Sequence, residues 1–382
     1  MLDLTTYTPE HRQELEDLLN TPAWRKVIEN GLVDRVAKKR IEPGSTRDYI
    51  GAAIDQLLSF NEHRVRRRKD IWGENGLVHF ASERGAAVNI NTNATRLTPE
   101  VILHLIAAGI AKLHISLDTP DKATQNTMFG GNRFDRVLEG IYNVQLARDL
   151  IGVTYPEIRT NCVLTNKNME TFPDLLSFIF TKRKQLTNRR QPLFNDLFPQ
   201  TIPVGGDSNA DLRPTETEFK KFYEDTWPEV CRRWDAEQDR LGISSENRGA
   251  LFGYFSNPFL RVAHQGGLEA YVKTAAEGHY GSLALSQYCY VAPTQASFTP
   301  DGSQFRCGSH AIRHLFPTGN IRDNDVFDNI RASTHNHDQF PDKEACHGCA
   351  LATLYINQSI EKKLTEKLDT MLSQKPEPNK VA

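Results

Sequence analysis

No cysteine stands before Cys162, and only six occur among the 382 residues. The cysteines are unevenly placed, with Cys162 and Cys231 alone and the other four in the last quarter of the chain. Long apolar runs are also missing. None approaches the roughly 18 residues that a membrane-spanning helix needs. Charge of one sign is not in excess either, with 46 basic against 48 acidic residues and a formal net charge of −2. Such a balance argues against nucleic acid or an anionic membrane as the main partner. The opening Met1-Leu2-Asp3-Leu4-Thr5-Thr6 lacks the basic-then-apolar order of a secretion signal. Together these features place the chain in the cytoplasm, where thiols stay reduced and metal ligation explains clustered cysteines better than disulfides do.

What is present falls into three textures. From Tyr7 to about Arg68 apolar residues recur at helical steps, with a second helix expected over Thr46–Phe60. The basic run Arg64–Lys69 has no interleaved aromatics and reads as a solvated helix face or linker. After Ile71 the pattern alternates. Helices are expected at Gly76–Arg84, Thr98–Ala108, Phe134–Leu150 and Asn168–Lys184, and strands at Ala87–Asn93, Ala111–Asp118 and Glu157–Thr165. Thr98 as N-cap, Pro99 at the first helical position and Gly109 beyond the end delimit one of these helices. Strand and helix repeating at this spacing imply a parallel sheet, either open or closed into a barrel. A strand at Leu193–Val204 and a helix from Thr215 to about Arg240 are expected next. In the latter, Thr215 and Glu218 have the spacing of a capping box. Residues 241–285 read as a mixed surface subdomain, and the tail from Lys375 as disordered.

Four cysteines crowd the last quarter. Cys346-His347-Gly348-Cys349 is a C-x2-C turn that lets two thiolates converge on one centre. Cys289 and Cys307 flank Thr299-Pro300-Asp301-Gly302-Ser303, a hairpin signature with Phe298 and Phe305 as its strand residues. The hairpin folds the two cysteines back towards each other. Four such thiolates suit tetrahedral zinc or a [4Fe–4S] cluster, and spacing does not decide between them. Cys162 reads as a small core residue and Cys231 as incidental. His335 and His337 read as solvated loop residues.

The segment Cys289–Cys349 resembles the C-terminal auxiliary-cluster module, of twitch or SPASM type, found in radical SAM enzymes. The order is similar: a cysteine, a glycine-containing hairpin, a second cysteine after Gly302, the Gly319-Asn320-Ile321 segment, a short helix at Val326–Ser333, then C-x2-C. No cysteine follows Cys349, so the likeness is to the one-cluster form. Upstream, Asn89–Ala94, His114–Asp118 and Arg159–Thr165 look like the third, fourth and fifth strands of that family's barrel. Gly130–Val137 looks like the helix entry between the last two. The resemblance covers roughly 73–215 and 286–352.

This resemblance implies a partial (β/α) TIM-like barrel over 71–285 and a cluster domain over 286–360, while the residue pattern itself gives a helical N-terminal region over 1–70 and a helix end with tail over 361–382. It implies an auxiliary [4Fe–4S] cluster on Cys289, Cys307, Cys346 and Cys349. It also implies a SAM side formed by Glu74, Asn93, Ser116 and Asn161. The family's first cluster is held by C-x3-C-x2-C, and this sequence has no such triad. Three functions remain open. One is a radical SAM enzyme whose core segment comes from elsewhere, such as a partner chain completing the barrel. Another is a catalytically silent partner or electron relay that binds a peptide, carrier or small molecule. The third is an unrelated zinc protein.

Overall fold

A computed structural model describes residues 9–29, 76–83, 85–185, 196–201, 211–240, 272–273, 276–277, 289, 296–324, 328–329, 346 and 351–373. The expected helix at Thr46–Phe60, the basic run at Arg64–Lys69, Glu74, Cys349, the tail from Lys375, and most of 241–285 and Val326–Ser333 lie outside these residues. The chain divides into two units, 1–201 with 217–256, and 202–216 with 257–382.

In the first unit a four-stranded parallel sheet has the order β1 (Asn89–Thr92), β2 (Lys112–Ser116), β3 (Glu157–Leu164), β4 (Asp196–Thr201). Successive parallel strands need long crossovers, and helices supply them. Ahead of the sheet come α1 (Pro9–Leu19), α2 (Pro22–Glu29) and α3 (Leu77–Glu83). α4 (Pro99–Ala107) joins β1 to β2. The short α5 (Lys122–Met128) and the long α6 (Phe134–Ile151) join β2 to β3. α7 (Phe172–Gln185) joins β3 to β4. α1 packs on α4 and α6, with the buried Trp24 ring 5.1 Å from that of His104.

The limits of α4 follow its sequence signals. The Thr98 hydroxyl accepts from the Val101 amide, and Gly109 at φ +81 turns the chain away just past the Ala108 cap. α7 departs from expectation. It begins at Phe172, not Asn168, because Asn168 spends its side chain on the ends of two strands. The short α5 has no apolar periodicity to announce it. Its signal is the Asp121 carboxylate, which caps the Thr124 amide at 2.8 Å.

β2 and β3 alternate strictly. Leu113, Ile115, Ile158, Thr160, Cys162 and Leu164 are buried, while Lys112, His114, Ser116, Arg159, Asn161 and Val163 on the opposite face are half-buried. One face therefore belongs to the apolar core. The other is a mostly polar surface. Beyond β4, α8 (Glu216–Lys221) runs through a π-helical segment, Phe222–Thr226, into α9 (Trp227–Arg240). Phe222 stands edge-on to Phe172 at 6.3 Å and 6.1 Å from Trp227, and α9 packs against α7.

In the second unit β5 (Ser297–Phe298), β6 (Ser303–Phe305) and β7 (Gly319–Asn320) form an antiparallel sheet in chain order. Phe298 and Phe305 are strand residues, as the hairpin signature indicates. Asp301 builds the turn by accepting from the Ser303 amide and hydroxyl, and Gly302 sits at φ +87. A Cβ at Gly302 would also lie 2.9 Å from Asn320 Oδ1. Left-handed backbone costs an L-residue about 1–2 kcal/mol. Gly302→Ala is therefore expected to destabilise this unit by about that much or more, measured by denaturant unfolding. A short helix not expected from the sequence, α10 (Gly308–Arg313), follows Cys307, and α11 spans Leu351–Ser373.

Candidate functional site

In parallel α/β sheets, ligands bind beyond the carboxyl ends of the strands. Here that edge gathers three of the four residues named for the SAM side. Ser116 ends β2 and pairs in register with Asn161 of β3. Thr92 ends β1 opposite Ile115, so Asn93 stands at the level of Ser116 on the neighbouring strand. Asn93, Ser116 and Asn161 thus form a row across three adjacent strands. Their states differ. Asn93 is exposed, and its Oδ1 accepts from the Thr95 amide and hydroxyl at 3.2 and 2.8 Å. Asn161 Oδ1 is buried without a hydrogen bond of good geometry. One level deeper on the same face, register aligns Asn91, His114, Arg159 and Asp196. Burial first, then the Arg159 and Lys112 charges, hold His114 below its ordinary value, with the neighbouring Asn161 side chain pulling the other way.

The best-built feature at this edge has no motif in the sequence to announce it. Asp118, two residues past β2, is only 5% exposed. Its carboxylate accepts from the Val163 amide at 2.7 Å, its own amide donates to Gln125 Oε1 at 2.9 Å, and its carbonyl accepts from Asn168 Nδ2 at 2.9 Å. Gln125 also takes the Thr119 amide at 2.9 Å. Asn168 Nδ2 also serves the Val163 carbonyl, and its Oδ1 accepts from the Thr165 amide and hydroxyl. Two buried carboxamides thus stand in for peptide groups where the sheet ladder ends, and buried polar groups demand such partners. Burial pushes the Asp118 carboxyl up to about 6, the Val163 amide offsetting part of the rise. Cys162, fully buried, donates its thiol to the Asp118 carbonyl at 3.5 Å. Burial, and next the Asp118 charge, raise the Cys162 thiol well above its ordinary value. It is a core thiol, as expected, and no metal ligand.

In the second unit the Cys307 sulfur sits at the start of α10 and accepts from the His310 amide at 3.4 Å. Arg306 is 7% exposed, and burial pulls its guanidinium below the ordinary value while the nearby Cys289 acts the other way. Residues 289 and 306–307 are thereby brought into one neighbourhood. Cys289, Cys307 and Cys346 are all thiols, none in a disulfide. Among the described residues, no three His, Cys, Asp or Glu side chains converge as a metal site, and Cys349 lies outside them. No described helix is long and apolar enough to cross a membrane.

Residues 32–179 match the family model of the radical SAM superfamily. The match covers 148 of the 382 residues. The chain is 23% identical over 263 residues to a mycofactocin maturase, MftC, of Mycobacterium tuberculosis, covering 69% of this chain and 54% of the relative. It is 23% identical over 284 residues to an AdoMet-dependent heme synthase of Methanosarcina barkeri, covering 72% and 68%. It is 25% identical over 177 residues to a tungsten-containing aldehyde ferredoxin oxidoreductase cofactor-modifying protein of Pyrococcus furiosus, covering 46% and 49%. The chain thus spans little more than half the length of the maturase.

Radical SAM chemistry implies a [4Fe–4S] cluster and SAM, the cluster held by three thiolates in the matched region. The residues here do not fit that cluster. The matched segment contains a single cysteine, Cys162, and it is wholly buried and hydrogen-bonded within the sheet.

Proposed function

We propose that this chain is a radical SAM-type iron–sulfur protein that binds an adenosyl ligand but does not start radical chemistry on its own. In this reading the ligand lies along the C-terminal edge of β1–β3, against Asn93, Ser116 and Asn161, with Glu74 contributed from the preceding segment. One auxiliary [4Fe–4S] cluster is held by Cys289, Cys307, Cys346 and Cys349, and serves structure or electron relay. The observation that carries the proposal is the lone cysteine of the matched segment. With one cysteine, the matched segment's own residues cannot hold a cluster on three thiolates. The polar row at the strand ends supports retention of a ligand site. Relatives named as a maturase, a synthase and a cofactor-modifying protein suggest a peptide, carrier or cofactor-like partner, which this chain would bind or position. The chemistry itself would need a core cluster supplied by another polypeptide.

Anaerobic purification followed by iron, sulfide and zinc analysis, then addition of SAM and a strong reductant, tests this directly. About four irons with matching sulfide, and no 5′-deoxyadenosine, is the expected outcome. Sustained 5′-deoxyadenosine formation by the isolated chain overturns the silent-partner reading. Zinc without labile sulfide overturns the iron–sulfur assignment of the four cysteines.

A further inference from the structure

The loop between β1 and α4 is held in a backbone state that its own sequence disfavours. Ala94 is fully buried at φ +60, in the left-handed region, where an L-residue is strained. Strained residues of this kind persist only where surrounding structure over-determines them, and they collect at ligand clamps. The surrounding structure here is one face of α6. Gly140, in the middle of that helix, has no turn to make and sits where glycine weakens a helix. A Cβ at this position would lie 2.2 Å from the Ala94 carbonyl oxygen and 3.2 Å from the Leu97 side chain. Glycine is there so that the loop backbone can lie directly on the helix. Three residues on, and so on the same face, Asn143 donates its Nδ2 to the Leu97 carbonyl at 2.9 Å. Gly140 receives one end of the turn and Asn143 grips the other. Between them the Leu97 amide closes on the Ala94 carbonyl at 3.1 Å.

Immediately before this turn stands Asn93. Its Oδ1 is occupied by the Thr95 amide and hydroxyl, which leaves the Nδ2 amide hydrogens of this exposed side chain for another acceptor. Asn93 is thus presented as a donor only.

We propose that Gly140 and Asn143 are positioning residues that fix the β1–α4 turn so that the Asn93 carboxamide donates to an acceptor atom of a ligand at the sheet edge. The ligand class is one that offers a carboxylate, hydroxyl or ring-nitrogen acceptor there. The inference rests on the adenosyl-ligand reading above for the identity of the ligand, but not for the clamp.

Two readouts separate these parts. The first is amide hydrogen exchange on the full chain. In Gly140→Ala the amides of residues 94–98 are expected to exchange at least about tenfold faster, with α6 itself still protected. Unchanged exchange across 94–98 overturns the clamp. The second is calorimetric titration with S-adenosyl-L-homocysteine. Asn93→Asp keeps an oxygen for Thr95 but removes the donor, and is expected to weaken binding at least about tenfold with unfolding unchanged. Gly140→Ala is expected to weaken it similarly, and the double variant no further, because both act through one group. Additive losses in the double variant overturn the positioning role, since a general structural effect would add to loss of the donor. Failure of the unaltered chain to bind the nucleoside overturns the adenosyl-ligand reading and Asn93's part in it, while the exchange result still decides the clamp.

Discussion

Asn168→Ala is expected to lower the stability of the sheet unit by about 3–5 kcal/mol. A single side chain here holds four groups, the carbonyls of Asp118 and Val163 and the amide and hydroxyl of Thr165. Asn168 itself is fully buried, so water cannot take over. Each buried group left without a partner costs about 1–3 kcal/mol, partly relieved by local adjustment. The total is a large fraction of the roughly 5–15 kcal/mol that a domain has to lose. Urea unfolding followed by circular dichroism measures it. A loss below about 1 kcal/mol would mean that the strand ends are held by the ladder alone. Asn168→Asp separates hydrogen bonding from packing. It keeps an acceptor for Thr165 but removes the donors to both carbonyls, so it should recover little of the loss.

The second large effect concerns pH. Asp118 titrates at about 6 in the folded chain, against about 3.9 for an unfolded aspartate. Between these values the native state binds more protons than the unfolded one, so stability falls as pH rises through this window. The Asp118 contribution is of order 3 kcal/mol, at about 1.4 kcal/mol for each pH unit between the two values. It is present in full below about pH 4 and gone above about pH 6. In Asp118→Asn the new carboxamide still accepts from the Val163 amide but carries no charge. The unfolding free energy of this variant should be flatter between about pH 4 and 6 than that of the unaltered chain, and higher at about pH 7. An identical slope in both proteins would show that Asp118 is already paired or solvated. Retention of nucleoside binding by the variant would mark Asp118 as a brace for the site and not a contact.

The sheet is legible because its signals are local. Thr98-Pro99 opens α4, Gly109 closes it, and strict alternation in Lys112–Ser116 and Glu157–Leu164 fixes which face is buried. The row of Asn93, Ser116 and Asn161 follows from the same strand ends. What cannot be read is long-range use of ordinary polar residues. Asp118, Gln125 and Asn168 are separated in sequence, and only the crossover brings their side chains to one strand junction. Asn168 even carries a misleading signal. It looks like the first residue of a helix, yet its carboxamide is committed to the sheet and α7 waits until Phe172. α10 is hidden for a related reason, because its cap is the Cys307 sulfur and cysteine is not among the residues that announce a helix start. The hairpin at Gly302 is readable because one left-handed position with its flanking aspartate is a local rule. Convergence of Cys289, Cys307, Cys346 and Cys349 is not a local property, and the iron and sulfide measurement proposed above decides it.

The π-helical stretch at Phe222–Thr226 limits how this protein can change over time. A wide turn of this type carries one residue more than an α-helix would need. It lets Phe219 and Phe222 on one side and Trp227 and Val230 on the other all be buried. Deleting a single residue there would restore a regular helix, but would turn everything after it by about 100° about the axis. Trp227 and Val230 would leave the buried side, and Arg233 would lose its reach to Asp174 and Ser177. The segment is therefore closed to small deletions. Homologues lacking the extra residue should carry a compensating insertion nearby or a different aromatic set opposite Phe172.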